Sequence, residues 1–202
     1  MVTLRKRRGK VPAALYGDIM AALESGLGKA HSKAAAANVI SSERKGEPAW
    51  LIEARVHMGT KEVRGSRHNA KIISWVKKLG GWFTDDETPW CGTFVAYCMK
   101  MAGYQPTKHW YRAKDWQNFG LSCQPKVGAI AIFGRKGGGH VGFVVGQSGK
   151  NLYILGGNQS NAVNIMPLAK SRCIGFRWPT GLAQPDSPLP RMSGGTVSRN
   201  EA

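Results

Sequence analysis

Two residues of this chain have the types that thiol-dependent acyl transfer requires: Cys91, in TPWCGTFVAYC, and His140, in GGGHVGFVVG. A thiol becomes a strong nucleophile once its proton is removed, and an imidazole is well matched to removing it near neutral pH. Local signals predict Cys91 in the first turn of a helix, with Thr88 as N-cap and Pro89 at the first helical position. The helix dipole and the unpaired amides there should favour a thiolate and lower its pKa. Phe94, Val95, Cys98 and Ala102 fall on the same stripe. The sulfur should therefore point toward whatever that helix packs on.

His140 follows three glycines and opens a predicted strand, in which Gly142 leaves room for a close neighbour. A tight turn around Ser148-Gly149-Lys150 joins this strand to LYILGGNQS. A hairpin centred on Gly149 sets Asn158 opposite His140, with a register uncertain by about one residue. Asn158 would then accept from the imidazole and fix its tautomer, as the third member of a Cys-His-Asn site. Gln159 is the alternative, and Asn158 as a plain turn former is the blander one. The same caution applies to Cys91 as a small core residue and to His140 as a solvated strand end. Trp90 and Trp110 either line the cleft or fill the core. Asp85, Asp86 and Glu87 precede the helix, where they suit its positive end; calcium held by these carboxylates is the other reading.

Elements that could position such a pair are legible around it. Helices are expected from Pro48 to Gly59, over Ile72–Leu79 before Gly80-Gly81, from about Pro89 to Met101, and briefly around Ala113–Phe119. Strands are expected at Val127–Phe133, His140–Val145, Leu152–Leu155, Val163–Met166 and Ile174–Trp178. Helices first and an antiparallel sheet after define an α+β domain. Its bounds are read as residues 48–180. Residues 1–47 form a basic, Ala-rich extension with a thin helical pattern from Ile19 to Ala37. Residues 181–202, rich in Pro, Ser and Gly, are expected to be a flexible tail.

The 202 residues carry 29 Lys and Arg against 12 Asp and Glu, a net charge of +17. A field of that sign draws the protein toward polyanions without choosing among nucleic acid, lipid headgroups and a bacterial envelope. RKRRGK near the start lacks interleaved aromatics, which weakens a nucleic-acid reading. Asp18 and Glu24 interrupt the apolar stretch after it, so no cleaved signal is expected. No apolar run approaches the roughly 20 residues that span a bilayer. The four cysteines contain no CxxC pair. Cys91 and Cys98 are separated by about 10 Å of helix rise, too far for a disulfide. Cys98, Cys123 and Cys173 are read as structural thiols, and His31, His57, His68 and His109 lack the setting of His140. No cofactor and no metal are called for.

The motifs DDETPWCGTFVAYCMKMAGY, PKVGAIAIFGRKGGGHVGFVVG and LYILGGNQS resemble the CHAP and NlpC/P60 superfamily of papain-like cysteine peptidases, in particular CHAP-type proteins of phages and prophages. The resemblance spans about residues 48–180. It implies a papain-like fold with helices packed on a small antiparallel sheet. It also implies cleavage of peptidoglycan peptide stems, by an endopeptidase or an N-acetylmuramoyl-L-alanine amidase. The nucleophile maps onto Cys91, the base onto His140 and the orienting residue onto Asn158, although some members carry a glutamate or second histidine in the third role. No separate cell-wall-binding module is expected on this reading, and the basic extension would serve instead by charge. On this reading the protein is a monomeric lysis enzyme, made in the host cytoplasm and released to the periplasmic wall, or carried in a virion. Two other readings stay open: a non-catalytic virion or envelope-binding component on the same fold, and an amide-bond transferase.

Overall fold

The computed structural model describes residues 46–198 apart from Lys136. The basic extension up to residue 45, with its expected helix, lies outside the described residues. Among the described residues three helices come first: α1 (Ala49–Val56), α2 (Ala70–Leu79) and α3 (Cys91–Met101). A 3-10 helix at Ala113–Asn118 leads into the strands. These are β1 (Leu121–Ser122), β2 (Ile130–Arg135), β3 (Gly138–Ser148), β4 (Asn151–Gln159), β5 (Ala162–Ala169) and β6 (Cys173–Trp178). The fold is α+β, as expected. No helix among the described residues is long and apolar enough to cross a membrane.

Local chemistry sets the helix limits. Pro48 stands at the N-cap of α1, and its carbonyl accepts from Leu51 and Ile52 at 2.9 and 3.1 Å. The helix ends at Val56, so Met58 does not join the buried face of Leu51 and Ala54 and stays exposed. Asn69 caps α2, its side chain accepting from the amides of Lys71 and Ile72. Gly80 closes that helix in the left-handed region, φ 74°, which a residue without Cβ adopts freely.

The six strands form one sheet in the order β1-β6-β2-β3-β4-β5 with antiparallel neighbours. Ser148 pairs with Asn151, leaving Gly149-Lys150 as a two-residue turn. Gln159 pairs with Ala162, and Ser160 and Asn161 both take positive φ, as a two-residue hairpin turn requires. Strands β3 to β6 run longer than alternation alone suggested, while β2 begins at Ile130 rather than Val127 and extends to Arg135. The two-residue β1, exposed on both residues, carries no pattern that would reveal it.

One core joins the layers. Phe94 of α3 meets Phe143 of β3, their ring centroids 6.4 Å apart, while Trp50, Trp75, Trp90, Trp116 and Trp178 are all fully buried. Trp50 satisfies its indole N–H on the carbonyl of Gly128 at 2.8 Å. Burying a side chain of this size stabilises the fold by roughly 2–3 kcal/mol or more.

Residues 181–198 do not trail as a flexible tail. The amide of Gln147 donates to Pro190, and Met192 donates back to Gln147, both at 2.9 Å. Leu189 is buried, Tyr153 donates to the carbonyl of Gly194 at 2.6 Å, and Ser198 bonds Pro167 at 3.1 Å. Composition suggested disorder, yet a few apolar anchors and backbone bonds suffice to lay the segment along β3 and β5. Gly146 is part of the fit, since a Cβ there would stand 2.5 Å from the Met192 sulfur.

Candidate active site

The lead-in to α3 is built by carboxylates. Asp85 accepts from the amide of Thr88 at 2.6 Å, closing a turn before the helix. Thr88 is thereby occupied and is not the cap. Trp90 holds the N-cap position without a side-chain bond, and its carbonyl accepts from Phe94 at 2.9 Å. Cys91 is therefore the first helical residue rather than a residue inside a turn begun by Pro89. Gly92 follows because the chain crosses here: a Cβ on it would fall on the carbonyl oxygen of Trp110 and within 3.0 Å of the Tyr111 backbone.

Asp86 is fully buried, and its oxygens accept from the amides of Val63 and Asn69 at 2.8 and 2.7 Å and meet His68 Nδ1 at 3.1 Å. Burial pushes its carboxyl up, but these bonds outweigh it and hold the pKa below the ordinary value. Glu87 accepts from Gly65 at 3.0 Å. The acidic run thus pins loop 61–69 against the approach to Cys91, a use that neither expected reading anticipated.

Cys91 is 6 % exposed. Burial raises its pKa above the ordinary thiol value; the backbone amides of Val141 and Gly92 and the charge of Arg135 oppose the rise without cancelling it. The expected lowering by the helix start is thus overturned, because desolvation of the charged form outweighs the dipole here. The resting group is a thiol. The Val141 amide belongs to the residue after His140, so α3 delivers its sulfur onto the strand that carries the imidazole.

His140 is buried in β3 opposite Phe133. Its Nε2 lies 3.0 Å from Gln159 Oε1. The Gln159 amide nitrogen donates to the carbonyls of Ile154 and Asn164, at 3.2 and 2.8 Å, and to Asn164 Oδ1 at 2.8 Å. Those bonds orient the carboxamide so that only its oxygen can face the ring. Nε2 must then carry the proton, which makes Nδ1 the basic nitrogen of the neutral ring.

The residue that touches the imidazole is Gln159, not Asn158. The hairpin register near the site is the expected one, with Phe143 opposite Leu155 and Val144 opposite Ile154. Beyond Gly156, however, β4 bulges. Asn158 turns to φ 56° within the bulge, is buried, and its Oδ1 has no hydrogen-bond partner. The displaced register brings the next, longer amide to the ring. Gly156 permits this, since a Cβ there would stand 2.9 Å from Gln159 Oε1 and 3.1 Å from His140 Nε2. Gly142 behaves as foreseen, with β4 packed where its Cβ would be.

Trp90 belongs wholly to the core, and half-buried Trp110 accepts through its carbonyl from Trp116 at 3.0 Å. Cys98 is buried in α3, and burial raises Cys123 to about 11 and Cys173 also upward; all are free thiols. His57 lies among Trp75, Phe94 and Tyr97 and contacts Glu53 at 3.0 Å. Arg135, which sequence reasoning passed over, reaches the sulfur electrostatically; its place at a strand end before a glycine run was the available clue.

Residues 83–158 match the model of the CHAP domain. The match runs from the lead-in of α3 through Cys91 and His140 and stops one residue before Gln159. No curated protein matches the chain.

Proposed function

We propose that this chain, whose residues 83–158 match the CHAP domain model, is a cysteine-dependent peptidoglycan hydrolase in which Cys91 is nucleophile, His140 base and Gln159 orienting residue. CHAP domains imply amidase or peptidase action on peptidoglycan in general. The observation that carries the assignment is the imidazole clamped by Gln159 on the strand whose next amide faces the Cys91 sulfur.

Because the resting sulfur is protonated, attack and proton transfer proceed together. His140 Nδ1 takes the thiol proton as sulfur bonds to the scissile carbonyl carbon. The oxygen gains charge where the unpaired amides of the first turn of α3 point. On collapse the C–N bond breaks, His140 returns the proton to the departing amine, and a thioester remains. Water, deprotonated by the same imidazole, then releases the acid and restores the thiol. Gln159 keeps Nε2 protonated throughout, so that Nδ1 always faces the chemistry.

The bond cleaved is an amide of the peptide stem, either within the stem or at its junction with the glycan. The catalytic unit is residues 48–180, and it acts as a monomer. The setting is phage-mediated lysis, with synthesis in the host cytoplasm and action on the wall after release, and the +17 charge holds the protein on the anionic envelope. Incubation of purified protein with bacterial sacculi, followed by identification of new amine termini, tests this reading. Lysis by Cys91→Ala at the wild-type rate would refute it.

The near-complete burial of Cys91 favours one second reading, a non-catalytic virion or envelope component on the same fold. A Cys91 that resists iodoacetamide even at alkaline pH would support it.

A further inference from the structure

Trp82 is 68 % exposed, whereas every other tryptophan is buried or half-buried. It is nevertheless held in place. On one side of it, a Cβ built on Gly81 would stand 2.6 Å from Val76 Cγ1 and 2.9 Å from Trp110 Cη2. On the other, the Phe83 ring packs against Trp110 with centroids 6.2 Å apart. Both neighbours are pressed against the protein, and the indole between them faces outward. Tyr111 braces it edge to face, with centroids 4.6 Å apart at 89°, and Phe83 does so at 5.7 Å and 81°.

The brace is itself tied down. Arg112 donates its amide to the His109 carbonyl at 2.8 Å, Asp115 donates to Arg112 at 3.0 Å, and the Trp116 indole donates to the Trp110 carbonyl at 3.0 Å. This turn carries the Trp110 and Tyr111 backbone that lies against Gly92, the neighbour of Cys91. One segment therefore supports the exposed ring and borders the start of α3. A flat ring fixed in advance loses little freedom when a partner lies on it.

The surroundings say which partner fits. Within residues 77–84 and 108–112 the other exposed side chains are Lys77, Lys78, Thr84, Lys108 and Arg112, all of them polar. One apolar ring in such a setting is too small a patch for a protein interface or a membrane surface. A nucleic-acid strand would stack successive bases on several rings, and no other aromatic is exposed among the described residues. A pyranose matches: C–H bonds cover its faces, where the negative face of an indole attracts them, and polar groups edge it. From this we infer that Trp82 stacks on a sugar ring of the glycan strand that bears the peptide stem. The choice of sugar rests on the hydrolase reading; the chain then grips its substrate by the glycan as well as by the stem.

An NMR titration of the full chain with a soluble β-1,4-linked N-acetylglucosamine oligomer, free of peptide, tests this without hydrolysis. The Trp82 indole and Tyr111 amide signals should shift and saturate together. Trp82→Ala and Trp82→Leu should each weaken binding about tenfold, the size of one aromatic stacking contact, and Trp82→Tyr should keep part of it. On sacculi the same two variants should raise KM by that factor with kcat unchanged. Met58→Ala, at another exposed apolar side chain, should change neither. An oligomer that does not bind, or that binds Trp82→Ala as well as wild type, overturns the inference and leaves the hydrolase reading standing wherever sacculi are still cleaved. Binding that depends on Trp82 in a chain that cleaves no sacculi upholds the stacking site and counts against the hydrolase reading alone. Equal affinity for a single-stranded oligonucleotide, lost in Trp82→Ala, overturns the choice of a sugar.

Discussion

His140 Nε2 and Gln159 Oε1 lie 3.0 Å apart, and Asn164 and Ile154 restrain the carboxamide that makes this contact. The ring is thereby fixed in one tautomer by a fully buried side chain.

Gln159→Ala should therefore lower kcat by about 10²-fold or more, within the range for disturbed general base catalysis, with KM changed much less. Asn158→Gly should leave kcat near wild type, because Asn158 does not touch the imidazole and a glycine accepts its positive φ. Initial rates of amine release from purified muropeptides would check both. If Asn158→Gly is the more damaging substitution in kcat, the roles are reversed.

Alkylation of Cys91 should be slow at neutral pH and still rising above the pH at which free cysteine has levelled off. The sign follows from burial, which raises the folded-state pKa and keeps the proton on. By the same linkage, the stability this thiol contributes is complete below its unfolded pKa and is lost as pH rises through the folded value. Iodoacetamide labelling across a pH series measures the first effect, and urea midpoints at alkaline pH, compared with Cys91→Ala, measure the second.

Gly92→Ala should destabilise the fold by roughly 1–3 kcal/mol, the usual range for forced overpacking. The methyl group has no room beside the Trp110 and Tyr111 backbone. Activity should fall with it, since the same shift moves the start of α3 on which Cys91 stands. Chemical denaturation and sacculus clearing by the same preparation would test the pair of effects; wild-type values of both would contradict the close approach.

Asp86→Ala should cost about 2–4 kcal/mol, because it strands the amides of Val63 and Asn69 along with His68. The Asp86 carboxyl is held below its ordinary pKa. Its contribution is therefore present above the unfolded value, about 3.9, and lost as pH falls through the folded one. In Asp86→Asn the acid limb of the stability curve should be shallower than in wild type. Limited proteolysis should cut Asp86→Ala first within loop 61–69.

Much of the molecule is written in local pattern. Asn69 and Gly80 bound α2 because a side-chain acceptor and a missing Cβ act within one turn of chain. Alternation along β2 to β6 and the glycine turn at 149 likewise need only near neighbours, so the α+β order and the pairing of β3 with β4 were open to reading. The types and placement of Cys91 and His140 belong to the same class of information.

Tertiary packing alone decided the rest. Whether Asn158 or Gln159 reaches the imidazole depends on a bulge in β4, and a bulge is set by how Gly156, Gly157 and the β5 pairing fit against α3. Whether Cys91 rests as thiol or thiolate depends on how much water the sheet removes from it, a quantity no spacing encodes. The loop tied down by Asp86 and the strap of residues 181–198 arise from contacts between segments remote in the chain. Short-range chemistry named the elements and the reactive groups; long-range packing set their protonation and their partners.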